Sequence, residues 1–365
     1  MVSDIVGPDS HVGSSDVVEA VRTVLDDLRR DAESIDVDGV TRAQIDALAE
    51  AGFFAAASPK EYGAPSAPPA VVRELIELLA AASGSTWFVV TQHRGVAEVA
   101  AGTSNKVLQA RWADDLASGA ALCAVSFAHL RRPGPPTVRA HPDGAGWRIG
   151  GRLDWITSWG LADVLLLMAE TDDGRVVEVL VPATAMPGFR VTGPLKLAAM
   201  SGTSTVGAEL KDFGVDADQV ARLGSKAQWQ RRDTYRTANA SPAVFGLLRA
   251  CLTALEEMGQ QRGAPEAVAL AHRWTERARQ LRANAYALID GVDEAEQLPE
   301  RVFLRAESLH LLQQATAALV TVSGGRSMLL SSPAQRWARE ALFLLVQAQT
   351  LPLRQDLLAL YSRFD

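Results

Sequence analysis

Periodicity changes twice along this chain, and that double change limits the fold more than any other feature. From residue 16, apolar side chains recur at helical spacing, with Val18, Val21, Val24, Leu25 and Leu28 on one face. Near Ala121 the pattern gives way to short β-branched runs separated by Gly, Pro and Asp. Helical spacing returns near Trp229 and continues to the end. At 365 residues the chain exceeds one typical domain. This order predicts an α+β, mainly α protein in four parts: a flexible N-terminus (1–15), an N-terminal helical domain (16–120), a central small antiparallel β barrel or sandwich (121–225), and a C-terminal four-helix bundle (226–365).

The first third predicts helices from residue 16, at 41–51 with Thr41 as cap, and at 70–82, 85–101 and 105–116. Strands are expected at 121–127, 147–149, 164–170, 176–181, 189–192 and 207–215, with hairpin chemistry in HPDGAGW and TDDGR. Four long helices follow, at 233–261, 265–290, 299–322 and 333–361, with Ser332 and Pro333 suited to a cap and first turn.

Composition removes several function classes. The net charge of −7 and the lack of a long basic run argue against a nucleic-acid binder. Cys123 and Cys251 lack CxxC spacing, and the six histidines form no HxxxH or HExxH pair, so no metal is expected. No apolar run is pure and long enough to predict a membrane span, and the polar opening segment lacks a signal-peptide layout. A soluble cytoplasmic protein is the expectation.

Trp155, Thr157 and Ser158 put a large π face and two hydroxyls on one short segment, which suits a flat heteroaromatic ring with a polar edge. A buried Trp at a strand end beside a capping Thr is the plainer alternative. Gly324 and Gly325, between two long helices, permit close backbone approach to a phosphate, or simply end a helix.

Four strings, in order along residues 20 to 362, resemble acyl-CoA dehydrogenases: SPKEYGAPS, GGRLDWITSWGLADVLLLMAET, KLAAMSGTSTVGAELKDFGVDADQV and SGGRSMLLSSPAQRWAREALFLLVQAQT. The resemblance implies FAD, with Trp155, Thr157 and Ser158 against the isoalloxazine ring and Ser126 donating to its edge. It also implies that Gly324, Gly325 and Arg262 contact the adenosine diphosphate part of a cofactor held mainly by a neighbouring subunit, hence a homodimer or homotetramer. Thr321 stands where the family has Gln, which weakens or replaces that contact. After Ser126 the chain reads FAHLRRPGPP in place of the family's acidic residue, Pro and A-G-S-D turn. Arg131 or Arg132 could meet phosphate there, or the loop could be merely solvated.

The family's catalytic glutamate is missing from both of its usual places. One aligns with Ala348, the other near Tyr235 and Arg236. Alanine takes no proton, and a tyrosine starts from a pKa of about 10. Asp233 lies roughly two positions off register. Tyr235 and Asp233 are therefore the candidate catalytic residues, and Arg236, Ala348 and His93 the candidate substrate contacts. The leading expectation is an FAD-dependent oxidoreductase acting on an acyl-CoA or carrier-tethered acyl thioester through a non-standard base. A flavin-dependent monooxygenase or oxidase, whose relatives load dioxygen on reduced flavin and need no glutamate, is the first alternative. A non-catalytic subunit that completes a partner's FAD site is the second. Substrate, and electron acceptor or flavin reductase, are not readable.

Overall fold

The structure, a computed structural model, describes residues 16–58 and 67–362. The expected flexible N-terminus and nearly all of SPKEYGAPS lie outside the described residues.

Eight helices come first: α1 Asp16–Arg30, α2 Ala32–Asp38, α3 Arg42–Glu50, α4 Phe53–Ala57, α5 Pro69–Ala82, α6 Gly84–Thr91, α7 His93–Gly102 and α8 Lys106–Ser118. Val18, Val21, Leu25 and Leu28 of α1 are buried, as their spacing requires. Thr41 caps α3 through a reciprocal box with Gln44. One helix was expected over 85–101. Gln92 divides it into α6 and α7.

The strands are β1 Cys123–Ser126, β2 Val138–Asp143, β3 Gly146–Ile156, β4 Val164–Thr171, β5 Arg175–Pro182, β6 Phe189–Pro194, β7 Val206–Val215 and β8 Val220–Ser225. They form one sheet in the order β6-β7-β3-β2-β4-β5-β8, with β1 on β4. The sheet is mostly antiparallel, as expected, with two parallel pairings: β1 and β2 both run parallel to β4. Two strands, β2 and β8, escaped the sequence reading. Pro142 disguises β2, and β8 holds few apolar residues.

Side-chain alternation along β4 explains the position of the sheet. Leu165, Leu167 and Ala169 face the β core with Ile149, Leu153 and Phe213. Val164, Leu166 and Met168 face the other way, onto Val96, Ala100 and Leu116 of the helices. One face of the sheet is thereby pressed against the N-terminal helices.

Six helices follow: α9 Lys226–Ala238, α10 Pro242–Arg262, α11 Pro265–Gly291, α12 Leu298–Ser323, α13 Pro333–Val346 and α14 Leu351–Tyr361. Two of the four expected long helices are thus broken, the first at residues 239–241 and the last at 347–350. Pro242 disfavours helical geometry at Ser241, whose side chain instead caps α10. Thr350 caps α14, with Pro352 in its first turn. Ser332 holds the cap position of α13 without a side-chain bond.

The stretch Lys226–Arg262 contains a window apolar enough for a membrane span, but 61% of that window is buried within the protein, as in a core bundle helix. At the α5–α10 contact, Gly246 lies so close that an added Cβ would stand 2.0 Å from the Glu77 carbonyl oxygen. Glu77 itself is buried, receives Arg282 Nε at 2.8 Å and Tyr286 OH at 2.5 Å, and is pushed up to about 7 by that burial.

Candidate functional site

The end of β3 turns a sharp corner. Trp155 points outward with its side chain 48% exposed, while Ile156, Thr157 and Ser158 are buried. Ser158 adopts a left-handed backbone (φ 70°), as do Met200 (58°) and Ser204 (49°) in the facing segment. Such geometry in non-glycine residues is held only where the surroundings enforce it. Here Ser158 N donates to Thr203 O at 3.0 Å and Trp159 N to Ser204 O at 3.1 Å. The Thr157 and Thr205 hydroxyl oxygens lie 3.2 Å apart, and Thr203 Oγ1 lies 2.8 Å from Thr205 Oγ1. Trp159 stacks on Phe189, with centroids 5.8 Å apart and planes 6° apart.

Within this pinned corner the buried Ser158 hydroxyl has no hydrogen-bond partner. A buried polar atom left unmatched requires a reason. With a half-exposed indole beside it, and Ser126 buried at the end of β1, the corner fits a flat aromatic cofactor with a polar edge. Trp155, Thr157, Ser158 and Ser126 are the residues that would hold it.

After β1 the chain makes a 3-10 turn, Ala128–Arg131, fixed by His129 Nε2 at 2.9 Å from Met168 O. The two arginines read as free loop charges are both paired. Arg132 pairs with Asp154, next to Trp155. Arg131 binds both carboxylate oxygens of Asp233 on α9, Nε to Oδ2 at 2.7 Å and Nη2 to Oδ1 at 2.6 Å. The guanidinium takes one lone pair on each oxygen and holds the carboxylate in a fixed orientation. Asp233 is therefore engaged, by an arginine one residue along the turn from the Arg132–Asp154 pair.

The other candidates scatter. Tyr235 is part-buried on α9, and its carbonyl accepts from Asn239 Nδ2 at 3.1 Å. Arg236 is exposed and pairs with Glu98 at 3.1 Å. His93 is buried, with Nε2 2.6 Å from Leu116 O and Nδ1 3.5 Å from Cys123 Sγ. Burial lowers its pKa to about 4, so the ring is neutral and ties α7 to α8 and β1. Ala348 has a left-handed backbone (φ 51°) in the break between α13 and α14.

Arg305, which the sequence reading missed, organises this region. Buried on α12, it donates to the carbonyls of Thr237, of Gln347 at 2.8 Å and of Ala348 at 3.3 Å. It thus satisfies carbonyls left open by both broken helices. The available signal was Arg301 and Arg305, one turn apart in a helix rich in Leu, Val and Ala.

A cavity of about 810 Å³ opens beside this centre, between the N-terminal helices, the sheet and α9. Phe53, Leu75, Leu79 and Trp87 give it an apolar side, and Phe127, Asp233 and Gln347 belong to its wall. Tyr235 and Ala348 do not line it, whereas His93 and Arg236 do. No group of three or more His, Cys, Asp or Glu able to hold a metal occurs among the described residues.

Elsewhere, Arg262 donates to Ser323 O at 2.9 Å and lies 3.8 Å from where a Cβ on Gly324 would be. Gly325 faces open space. Thr321 is exposed and spends its hydroxyl on Ala317 O at 2.8 Å. Gly324 follows Arg305 by nineteen residues of α12, about 28 Å along the axis at ~1.5 Å per residue. The diglycine therefore lies about five turns along α12 from the Arg305 centre. Met328, Leu329 and Leu330, beside the diglycine, are exposed.

Helices, a sheet with a pinned tryptophan corner, and a second set of helices define the acyl-CoA dehydrogenase class of fold. Residues 14–120 match the family model of the acyl-CoA dehydrogenase N-terminal domain. Butyryl-CoA dehydrogenase from Megasphaera elsdenii matches with a TM-score of 0.75 at 17% identity, covering 94% of this chain and 97% of its own. A glutaryl-CoA dehydrogenase from Mycobacterium smegmatis, solved in complex with FADH2, matches at 0.75 and 18% identity, covering 96% and 95%. The 3-HSA hydroxylase from Rhodococcus sp. RHA1 matches at 0.72 and 18%, covering 94% and 95%. No curated protein matches in sequence. Residues 14–120 thus match the acyl-CoA dehydrogenase N-terminal domain, and the chain as a whole shares the acyl-CoA dehydrogenase fold. At these identities the structural likeness carries the fold and leaves the reaction open.

Proposed function

We propose that this protein is an FAD-dependent oxidoreductase of the oxygenase or oxidase kind, rather than an acyl-thioester dehydrogenase. Flavin, when bound, accepts a hydride from substrate or, once reduced, hands electrons to dioxygen. This chain's residues would hold the ring edge through Trp155, Thr157, Ser158 and Ser126. The apolar side of the cavity would exclude water from it.

One observation supports this reading: among the described residues lining the cavity, no buried carboxylate stands without an arginine partner to take an α-proton. Asp233 is gripped by Arg131, and the position expected for the base is Ala348, with Arg305 behind it. Of the other carboxylates lining the cavity, Glu98 and Glu178 are paired with arginines, and Glu294 is exposed in the loop after α11. A 3-HSA hydroxylase stands among the similar structures beside the dehydrogenases, so the fold accommodates such chemistry. The separation of the diglycine from the Arg305 centre along α12, with exposed Met328, Leu329 and Leu330 beside it, supports at least a homodimer. In it Gly324, Gly325 and Arg262 of one copy would meet the cofactor tail of another.

Anaerobic spectroscopy tests the reading. The protein reconstituted with FAD should not bleach on adding butyryl- or octanoyl-CoA. It should bleach with NADH and a general flavin reductase, then consume oxygen when air is admitted. Bleaching by an acyl-CoA alone would overturn the proposal in favour of dehydrogenation. Failure to bind FAD at all would remove the flavin reading and leave a subunit without redox chemistry.

A further inference from the structure

Arg131, Asp233 and Arg305 meet where the 3-10 turn after β1, α9 and α12 converge. Two guanidinium charges share one carboxylate there. Arg305 contributes no hydrogen bond to Asp233, since its donors go to three main-chain carbonyls. Its pKa falls to about 10, through burial and then the like charge of Arg131, with Asp233 opposing. Carboxylates and arginines balance in the cavity wall itself, four of each. Arg131 and Arg305, just behind that wall, tip the local balance positive.

The site is reachable. Asp233 itself lines the cavity, as do Phe127, whose ring centroid lies 5.0 Å from the Arg131 guanidinium carbon, and Gln347, whose carbonyl holds Arg305. The Arg131 and Asp233 side chains retain 24% and 17% of their exposure. Among the described residues, Arg131 supplies the side-chain hydrogen bonds that hold the Asp233 carboxylate.

We infer that Arg131, backed by Arg305, is the seat for an anionic group, a carboxylate or phosphate, carried by the ligand of this cavity. Asp233 fills that seat as an internal stand-in until the ligand displaces it. The physical reason is exchange: an arginine fork binds an incoming carboxylate or phosphate with the same paired geometry it now gives Asp233. Little pairing is lost in the swap, and the surplus positive charge favours the newcomer. A structural ion pair would show no such exchange. This inference does not depend on flavin binding; where the displacement occurs it releases the Asp233 carboxylate, so the engagement of Asp233 described above is that of the ligand-free protein.

The test uses the full chain as purified, with succinate, inorganic phosphate and neutral succinamide as probes at constant ionic strength. In calorimetric titration, Asp233→Asn should bind succinate or phosphate about tenfold or more tightly than the wild type. Which of the two gains identifies the group. The double variant Arg131→Gln/Asp233→Asn should lose the gain, and succinamide should stay silent throughout. Asp233→Ala is the second variant should the first not fold. In the wild type, succinate or phosphate should raise the Tm, and Arg131→Gln should abolish that rise. Unchanged affinity on removing the Asp233 carboxylate, a gain that survives loss of Arg131, or equal Tm shifts in wild type and Arg131→Gln each overturns the proposal.

Discussion

Arg131 of the β region and Asp233 of the bundle, 102 positions apart in sequence, are joined by two parallel hydrogen bonds of 2.7 and 2.6 Å. The pair clamps the turn after β1 onto α9, at the border of the cavity. It ties both oxygens of the Asp233 carboxylate to one guanidinium.

The pair should couple measurably. Arg131→Gln and Asp233→Asn should each cost about 1–3 kcal/mol, since each leaves a part-buried polar group unmatched. The double variant should cost about 1–2 kcal/mol less than the sum of the singles in a urea-denaturation cycle. Additive losses would mean that the clamp carries no pairwise energy.

Ser158→Ala separates a structural corner from a cofactor corner. The Ser158 hydroxyl is buried without a partner, so its removal should leave the apoprotein as stable as before or up to about 1 kcal/mol more so. FAD affinity should nevertheless fall about tenfold, the worth of one well-placed hydrogen bond. Scanning calorimetry of apoprotein beside flavin titration reads both. Unaltered FAD affinity would detach Ser158 from the cofactor.

Gly325→Ala addresses the assembly. A Cβ there meets nothing within 4 Å in the protomer, so folding and Tm should not change. If a cofactor tail from another copy passes this backbone, retained flavin should drop at least several-fold in the variant. Equal flavin content would mean that the diglycine is only a helix end.

Glu340 gives a pH signature. Burial raises its carboxyl to about 7, with Arg336 opposing and Asp36 reinforcing, and its Oε2 has no partner. A carboxyl raised in the folded state favours folding while protonated. Its contribution is complete below about 4.5 and is lost as pH rises through about 7. Glu340→Gln mimics the protonated form, so relative to wild type it should gain about 2–3 kcal/mol between pH 5 and 8. His93 and His129, lowered to about 4, act in the opposite sense and lose stability as pH falls from about 6.5. Urea midpoints at several pH values check this, and a difference independent of pH would refute it.

Gly246→Ala should destabilise by about 3 kcal/mol or more, since the new methyl would overlap the Glu77 backbone at the α5–α10 contact. Thermal unfolding measures the loss. A Tm within two degrees or so of wild type would show that the helices can part without cost.

The helical, β and helical order was legible because hydrophobic spacing is local: α1 buries the residues its period selects, and β4 alternates between two cores. Trp155 and the hydroxyls around it were equally legible, as residue types and as strings. Non-local contacts decided the rest. The β1–β4 and β2–β4 pairings are parallel because distant strands meet, which connection length alone does not reveal. Two long helices broke at Pro242 and before Pro352, at points where Arg305 from a third helix could satisfy the open carbonyls.

By itself, then, the sequence determined which segments coil, which extend, and that an aromatic and hydroxyl-rich corner stands between them, since each depends on neighbours a few residues away. Only the tertiary structure decided the charge of the centre. Arg131, Asp233 and Arg305 belong to three separate elements, and the state of each depends on the other two being brought within a few ångströms. No local pattern encodes that meeting.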